Sequence, residues 1–286
     1  MSRPFQKKNN NKQKQFNINF SNIQADLYSI SKNLTIEDFQ LKSGTLSGNF
    51  YLGGLFFDPE FEGFLDIKDL VVSLGNFLPN DLSTKNIKLI ANDDSFKIEN
   101  VLLTSGKAQV GFAASLSLDR WMLEELKVRL ETLNKTLLPV DCKLPIMNLI
   151  ANLNFNLEMA FSPDLLDLRG NVDVQDTILS LTLAGNDNDS EKESKKSNLE
   201  VVMDLIVNIA PKSKIFYPTQ ENPIIRGLVS ASKPIHIVTD SSGFAISGDL
   251  NIKGGEILYL SRNFYLKEGR IDMNEVNGNF DPLITF

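Results

Sequence analysis

From Leu149 to Phe161 the chain alternates without interruption. Leu149, Ala151, Leu153, Phe155, Leu157, Met159 and Phe161 fall on one side, and Asn152, Asn154, Asn156 and Glu158 on the other. A period of two is the mark of a strand with one dry face and one wet face. The same pattern recurs in Ala108–Leu118, where Val110, Phe112, Ala114 and Leu116 share a side, and in Leu199–Ile209, with Val201, Met203 and Leu205. It returns in Phe244, Ile246, Gly248, Leu250 and Ile252. Every such strand must hide its apolar side against something, and that requirement limits the architectures available.

Shorter strands are expected between these runs, at residues 16–20, 45–52, 60–67, 87–91, 96–103 and in two pieces between Ile224 and Asp240. Gly53-Gly54 with Asp58-Pro59 reads as a turn region, and Gly254-Gly255 as a break between two strands. Ser261–Asn263 and Glu268-Gly269 read as further turns, with a strand at Phe264–Lys267 between them. Asp26–Asp38 carries no assignable period. In Asp119–Leu138 the spacing of Leu123, Leu126, Leu130, Leu133 and Leu137 suits a helix, while Leu126, Val128 and Leu130 alternate as in a strand; both readings stay open. More than ten strands and at most one helix make the chain all-β. Its apolar faces close either against a second sheet or by the curling of one long sheet upon itself.

Three segments repeat one form. EGFLDIKDLVVSL at 62–74, RGNVDVQDTILSL at 169–181 and SGDLNIKGGEILYL at 247–260 each place a Gly before an apolar, Asp/Asn, apolar run, followed by a turn and a short apolar strand. Their unequal spacing rules out a fixed-period solenoid. The C-terminal order SGDLNIKGGEILYLSRNFYLKEGRIDM…FDPLITF, with Gly248, Gly255, Leu260, Phe264, Gly269, Ile271 and Pro282 at the corresponding places, resembles the C-terminal region of the TamB family, the translocation and assembly module subunit of diderm bacteria.

That resemblance implies an elongated, curled, antiparallel or mixed sheet, U-shaped like a taco, with an apolar concave groove. It covers 16–286 as a TamB-like β domain and implies truncation within the last strand. It further implies a non-enzymatic protein of the periplasm, tethered to the inner membrane by a segment N-terminal to this sequence. Such a protein conducts phospholipid between membranes or assists outer-membrane protein assembly, with a TamA-like barrel as partner. Moving a sixteen-carbon tail through water costs roughly 12 kcal/mol, at about 0.8 per CH₂, and an apolar trough removes most of that barrier. The expected lining is Val110, Phe112, Leu116, Leu149, Leu153, Phe155, Leu157, Met159, Phe161, Val201, Met203, Leu205, Phe244, Ile246, Leu250 and Ile252. The alternative is a structural or adhesin-like β-protein in which the same residues form a closed core.

Composition excludes more than it identifies. A net charge of −7 provides no basic surface for nucleic acid. One cysteine, Cys142, cannot form an internal disulfide, and His236 is the one histidine, so no His-based metal site or triad assembles without it. The chain carries no G-x-S-x-G, H-E-x-x-H, C-x-x-C or phosphate-loop motif, and neither a cofactor nor enzymatic activity is expected. Asp66, Asp69, Asp173 and Asp176 are too sparse for a calcium cage and read as turn formers. Residues 1–15 read as a disordered basic and polar lead without a signal-peptide core, and 185–198 as a flexible charged loop.

Overall fold

The structure, a computed structural model, describes residues 15–32, 38–144, 147–181, 199–240, 243–259, 262–275 and 283–285. Residues 1–14, the charged segment 185–198, Leu260, Ser261 and Pro282 lie outside these. Among the described residues all strands belong to one mixed sheet of eighteen, with one five-residue helix, Leu27–Ser31 (α1). The all-β expectation holds.

The first seven strands form an antiparallel meander: β1 (Gln15–Asp26), β2 (Gln40–Leu55), β3 (Asp58–Ser73), β4 (Leu82–Asp93), β5 (Ser95–Ser105), β6 (Ala108–Asp119) and β7 (Met122–Thr132). Next come β8 (Leu138–Leu144), β9 (Met147–Phe161) and β10 (Leu165–Leu181). β7 and β8 share one edge of β9, and β10 takes the other. β11 (Glu200–Ile209) and β12 (Ser213–Tyr217) then lie end to end along β10, both parallel to it. β13 (Ile225–Ala231) pairs with β12, and β14 (Ile235–Asp240) with β11. β15 (Gly243–Tyr259) runs past both. β16 (Arg262–Leu266) and β17 (Gly269–Glu275) take its far edge, and β18 (Leu283–Thr285) pairs with β17.

Where a long strand meets two short ones, the gap needs other partners. β7 releases β9 after Glu131 pairs with Asn156, and β8 begins only opposite Leu153. The Thr132 side chain fills the interval: its Oγ1 accepts from the Phe155 N–H at 2.9 Å and from Asn154 Nδ2 at 2.7 Å. At the β11–β12 break the Ala210 N–H donates to the Val174 carbonyl at 2.9 Å, and the Ser213 hydroxyl, 2% exposed, donates to the Ala210 carbonyl. Buried backbone groups thus remain paired through the interruptions.

The repeated sequence unit has a backbone meaning. Gly63, Gly170 and Gly248 have φ of 125°, 147° and 145°, and Asp69, Asp176 and Gly254, six residues on in each, have φ of 51°, 49° and 123°. Ladder register shifts just beside Asp69 and Asp176 in β3 and β10. These are bulges inside continuous strands, which bend and twist them, and not the chain-reversing turns expected of the aspartates. Two glycine pairs need the same correction. Gly53-Gly54 lies within β2, paired with Glu60 and Pro59, and the turn falls at Phe56-Phe57. Gly254-Gly255 lies within β15, where one edge of the strand passes from β17 to β16, while the other edge has already passed from β14 to β13 between Ser247 and Leu250. A Cβ on Gly255 would stand 2.5 Å from the Arg226 carbonyl oxygen, so the close approach selects glycine.

Residues 119–138, open between helix and strand, contain β7. Its register sets Leu126, Val128 and Leu130 opposite Leu116, Ala114 and Phe112, so alternation prevails over the helical spacing. The short α1 occupies the stretch without a period; the Asp26 carboxylate caps it by accepting from Ser29, which lowers the Asp26 pKa.

Candidate functional site: the apolar face of the sheet

Residues directly opposite one another in a ladder point to the same face, so one face can be followed from strand to strand. One row runs Gly48, Leu65, Leu89, Ile98, Ala114, Val128, Met159, Leu168, Met203, Thr239, Phe244 across eleven strands. The next row runs Phe50, Gly63, Ala91, Phe96, Leu116, Leu126, Phe161, Leu166, Val201. Beyond Phe112, a third runs Leu130, Leu157, Gly170, Leu205, Ile237, Ile246. With few exceptions the side chains are aliphatic or aromatic, and no second sheet stands among the described residues to cover them.

The sheet bends toward this face. Phe50 on β2 and Phe96 on β5 have ring centroids 6.4 Å apart, although three strand spacings on a flat sheet would separate them by about 14 Å. Phe61, Phe96, Trp121 and Phe16 complete an aromatic cluster at this end of the strands, with centroid separations of 5.1 Å for Phe61–Phe96, 5.9 Å for Phe61–Trp121 and 6.3 Å for Phe16–Trp121.

At the opposite end of β4–β6 the face is closed. Ile87, Val101, Leu103, Ala108, Val110 and Leu138 form a buried cluster, with Leu78, Phe112, Val140 and Phe155 packed around it. Backbone bonds seal it: the Asp141 N–H donates to the Phe77 carbonyl at 3.0 Å and the Lys143 N–H to the Asn76 carbonyl at 3.2 Å, tying β8 to the β3–β4 connection. A second cluster, Ile235, Leu250 and Met273, lies on β14, β15 and β17.

The residues expected to line a groove therefore divide. Val110, 3% exposed, is core, as are Leu250 and Ile252 at 8% and 7%. Phe112 and Phe155 pack against the first cluster and Ile246 against the second. Leu116, Leu149, Leu153, Leu157, Met159, Phe161, Met203 and Leu205 are half-buried, and Val201 is exposed. Phe244 takes its place by register opposite Thr239. Of the family-pattern residues, Gly248 pairs with Met273, Gly255 with Leu266 and Gly227, and Gly269 with Ile252, while Phe264 is exposed opposite Ile257. The periodicity of β10 (Leu166, Leu168, Val172, Val174) carried the signal for four more residues on this face. The aromatic cluster has no local signature, because its members come from different strand ends.

The other face is mostly polar, with scattered exposed apolar residues such as Ile90, Leu102 and Ile206, and its charges are paired. Arg129, Glu158, Arg169 and Asp204 are successive register partners across β7, β9, β10 and β11, an alternating ladder of charge. Asp167, bonded to Arg169 at 2.8 Å, raises the Arg169 pKa, with a smaller push from Asp204. His236 joins the end of the ladder through Asp204 at 2.7 Å. A depression of about 880 Å³ on this side is lined by Ala113, Ser115 and Ala160 among these charges. Each cation there has a carboxylate beside it, as in Lys127–Glu125 at 2.7 Å, which leaves no net field for an ionic ligand. Among the described residues no three His, Cys, Asp or Glu side chains converge as a metal site. Among the described residues no helix is long and apolar enough to cross a membrane. No family model, no curated protein and no solved structure matches this chain.

Proposed function

We propose that the chain is a non-catalytic, TamB-like protein of the periplasm whose apolar face conducts phospholipid acyl chains between membranes. The observation that carries this reading is the row through Met159: mostly apolar side chains in register from strand to strand, interrupted by Gly48 and Thr239, many of them half-exposed, with no second sheet over them among the described residues. Aliphatic and aromatic surface receives a fatty tail without demanding polar partners, and a head group remains in water beyond the strand edges. An outer-membrane barrel of the TamA kind is the partner that the C-terminal resemblance suggests, with assistance to outer-membrane protein assembly as the second face of the same role.

A second reading, a structural β-protein with a dry core, draws support from the closed cluster around Val110. Mass spectrometry of the purified protein separates the two. Conduction predicts co-purified phospholipid, reduced by Met159→Asp with the sheet still folded. A folded protein free of lipid would leave the structural reading in possession.

A further inference from the structure

The most exposed large apolar side chains on turns stand together. Phe56 and Phe57 form the β2–β3 turn, 64% and 76% exposed, and Trp121 and Met122 lie at the β6–β7 turn, 48% and 69% exposed. They form one unit, because the Trp121 Nε1–H donates to the Phe56 carbonyl at 2.7 Å and the rings of Phe56 and Phe57 meet edge to face at 5.4 Å. Behind them the Trp121 ring contacts Phe61 and Phe16 of the apolar face. Turn tips of a β-protein ordinarily carry Gly, Asn, Asp or Pro; two aromatic residues at the apex of a two-residue turn contribute nothing to reversing the chain.

We propose that these paired tips are a docking site for a zwitterionic lipid bilayer, which they enter side by side to the depth of the interface. Three observations select this occupant. Trp, Phe and Met exposed together at a point suit insertion at the boundary between head groups and acyl chains. Four part-exposed side chains offer roughly 500 Å², below the roughly 800 Å² that each partner contributes to a specific protein interface. Among the described residues, the charged members of the turns at this end are Asp58, Asp93, Asp94, Asp119 and Arg120, with the Asp94 carbonyl bonded to the Leu118 N–H at 2.9 Å. Their acidic excess disfavours an anionic surface.

Docking and acyl-chain binding are separable, since vesicle association reads the tips and co-purified lipid reads the sheet face. Trp121 is the sole tryptophan, so its fluorescence reports on the tip alone. With phosphatidylcholine vesicles, the full chain should float, its emission should shift to the blue, and brominated acyl chains should quench it. Phe56→Ser with Phe57→Ser leaves the backbone carbonyl that holds Trp121 in place, and should weaken partitioning by at least about tenfold. Tyr265→Ser, at a residue 75% exposed on β16, should leave it unchanged. Met122→Ser serves as a second tip variant should the double variant lose its native circular dichroism. The proposal is overturned if the wild-type chain neither floats nor changes emission, if folded tip variants float like wild type, or if association requires anionic lipid and vanishes in salt.

Discussion

The indole N–H of Trp121 and the backbone carbonyl of Phe56, 2.7 Å apart, join two turns that a flat sheet would hold about four strand spacings, or roughly 19 Å, from each other. The bond is a direct measure of how far β1–β7 have rolled toward their apolar side. Trp121→Phe keeps a ring against Phe61 but removes the donor. It should lower stability by about 1 kcal/mol and raise hydrogen exchange at Phe57 and Asp58, with little change in β9.

Thr132→Val tests how the broken rows are kept whole. The change preserves shape but leaves the Phe155 N–H and Asn154 Nδ2 without the oxygen that now accepts from both. A loss of about 1–3 kcal/mol is expected in urea titration, whereas Thr132→Ser, which retains the hydroxyl, should recover most of it.

The glycine of the repeated unit makes a sharper contrast. A Cβ at Gly170 would overlap the Asn156 carbonyl, and φ there is 147°. Gly170→Ala should cost about 2–4 kcal/mol. Gly75→Ala, where a Cβ would meet nothing within 4 Å, should stay within about 0.5 kcal/mol. Equal midpoints for the two variants would show that neighbouring strands yield easily at Gly170.

Burial separates two positions that alternate alike in sequence. Val110→Asp places an unpaired carboxylate in the sealed cluster, and several kcal/mol should be lost, enough to abolish the cooperative melt. Met159→Asp, on the half-exposed row, should leave a melting transition that thermal scanning still detects.

On the polar face, Glu158→Lys would set cations side by side on three adjacent strands, with Arg129 and Arg169 flanking the new amine. The melting temperature should fall in low salt, and the deficit should shrink as ionic strength rises. A deficit independent of salt would point instead to lost packing of the glutamate stem.

Much of the fold lies in local alternation, and β6, β9 and β11 are readable for that reason. The glycine pairs mislead because glycine signals both reversal and close approach; only the neighbouring strand, such as Arg226 beside Gly255, decides which. The turn between Gly53-Gly54 and Asp58-Pro59 is legible as a region, but its place at Phe56-Phe57 is not, because those two residues are not turn formers. Candidate site residues are legible as to side but not as to burial. Val110 and Leu157 share a pattern, yet Leu78 and Leu138, distant in sequence, help to enclose the first alone.

The parallel joint of β10 with β11 and β12 separates two styles of assembly. Up to Leu181, most pairings link strands that follow one another along the chain, so they close over short loops at small entropic cost. β11 begins beside Leu165, at the end of β10 remote from Leu181, and cannot zip up from a tight reversal. The N-terminal ten strands should therefore gain protection first in pulse-labelled refolding, and then serve as the template on which the remaining eight are laid.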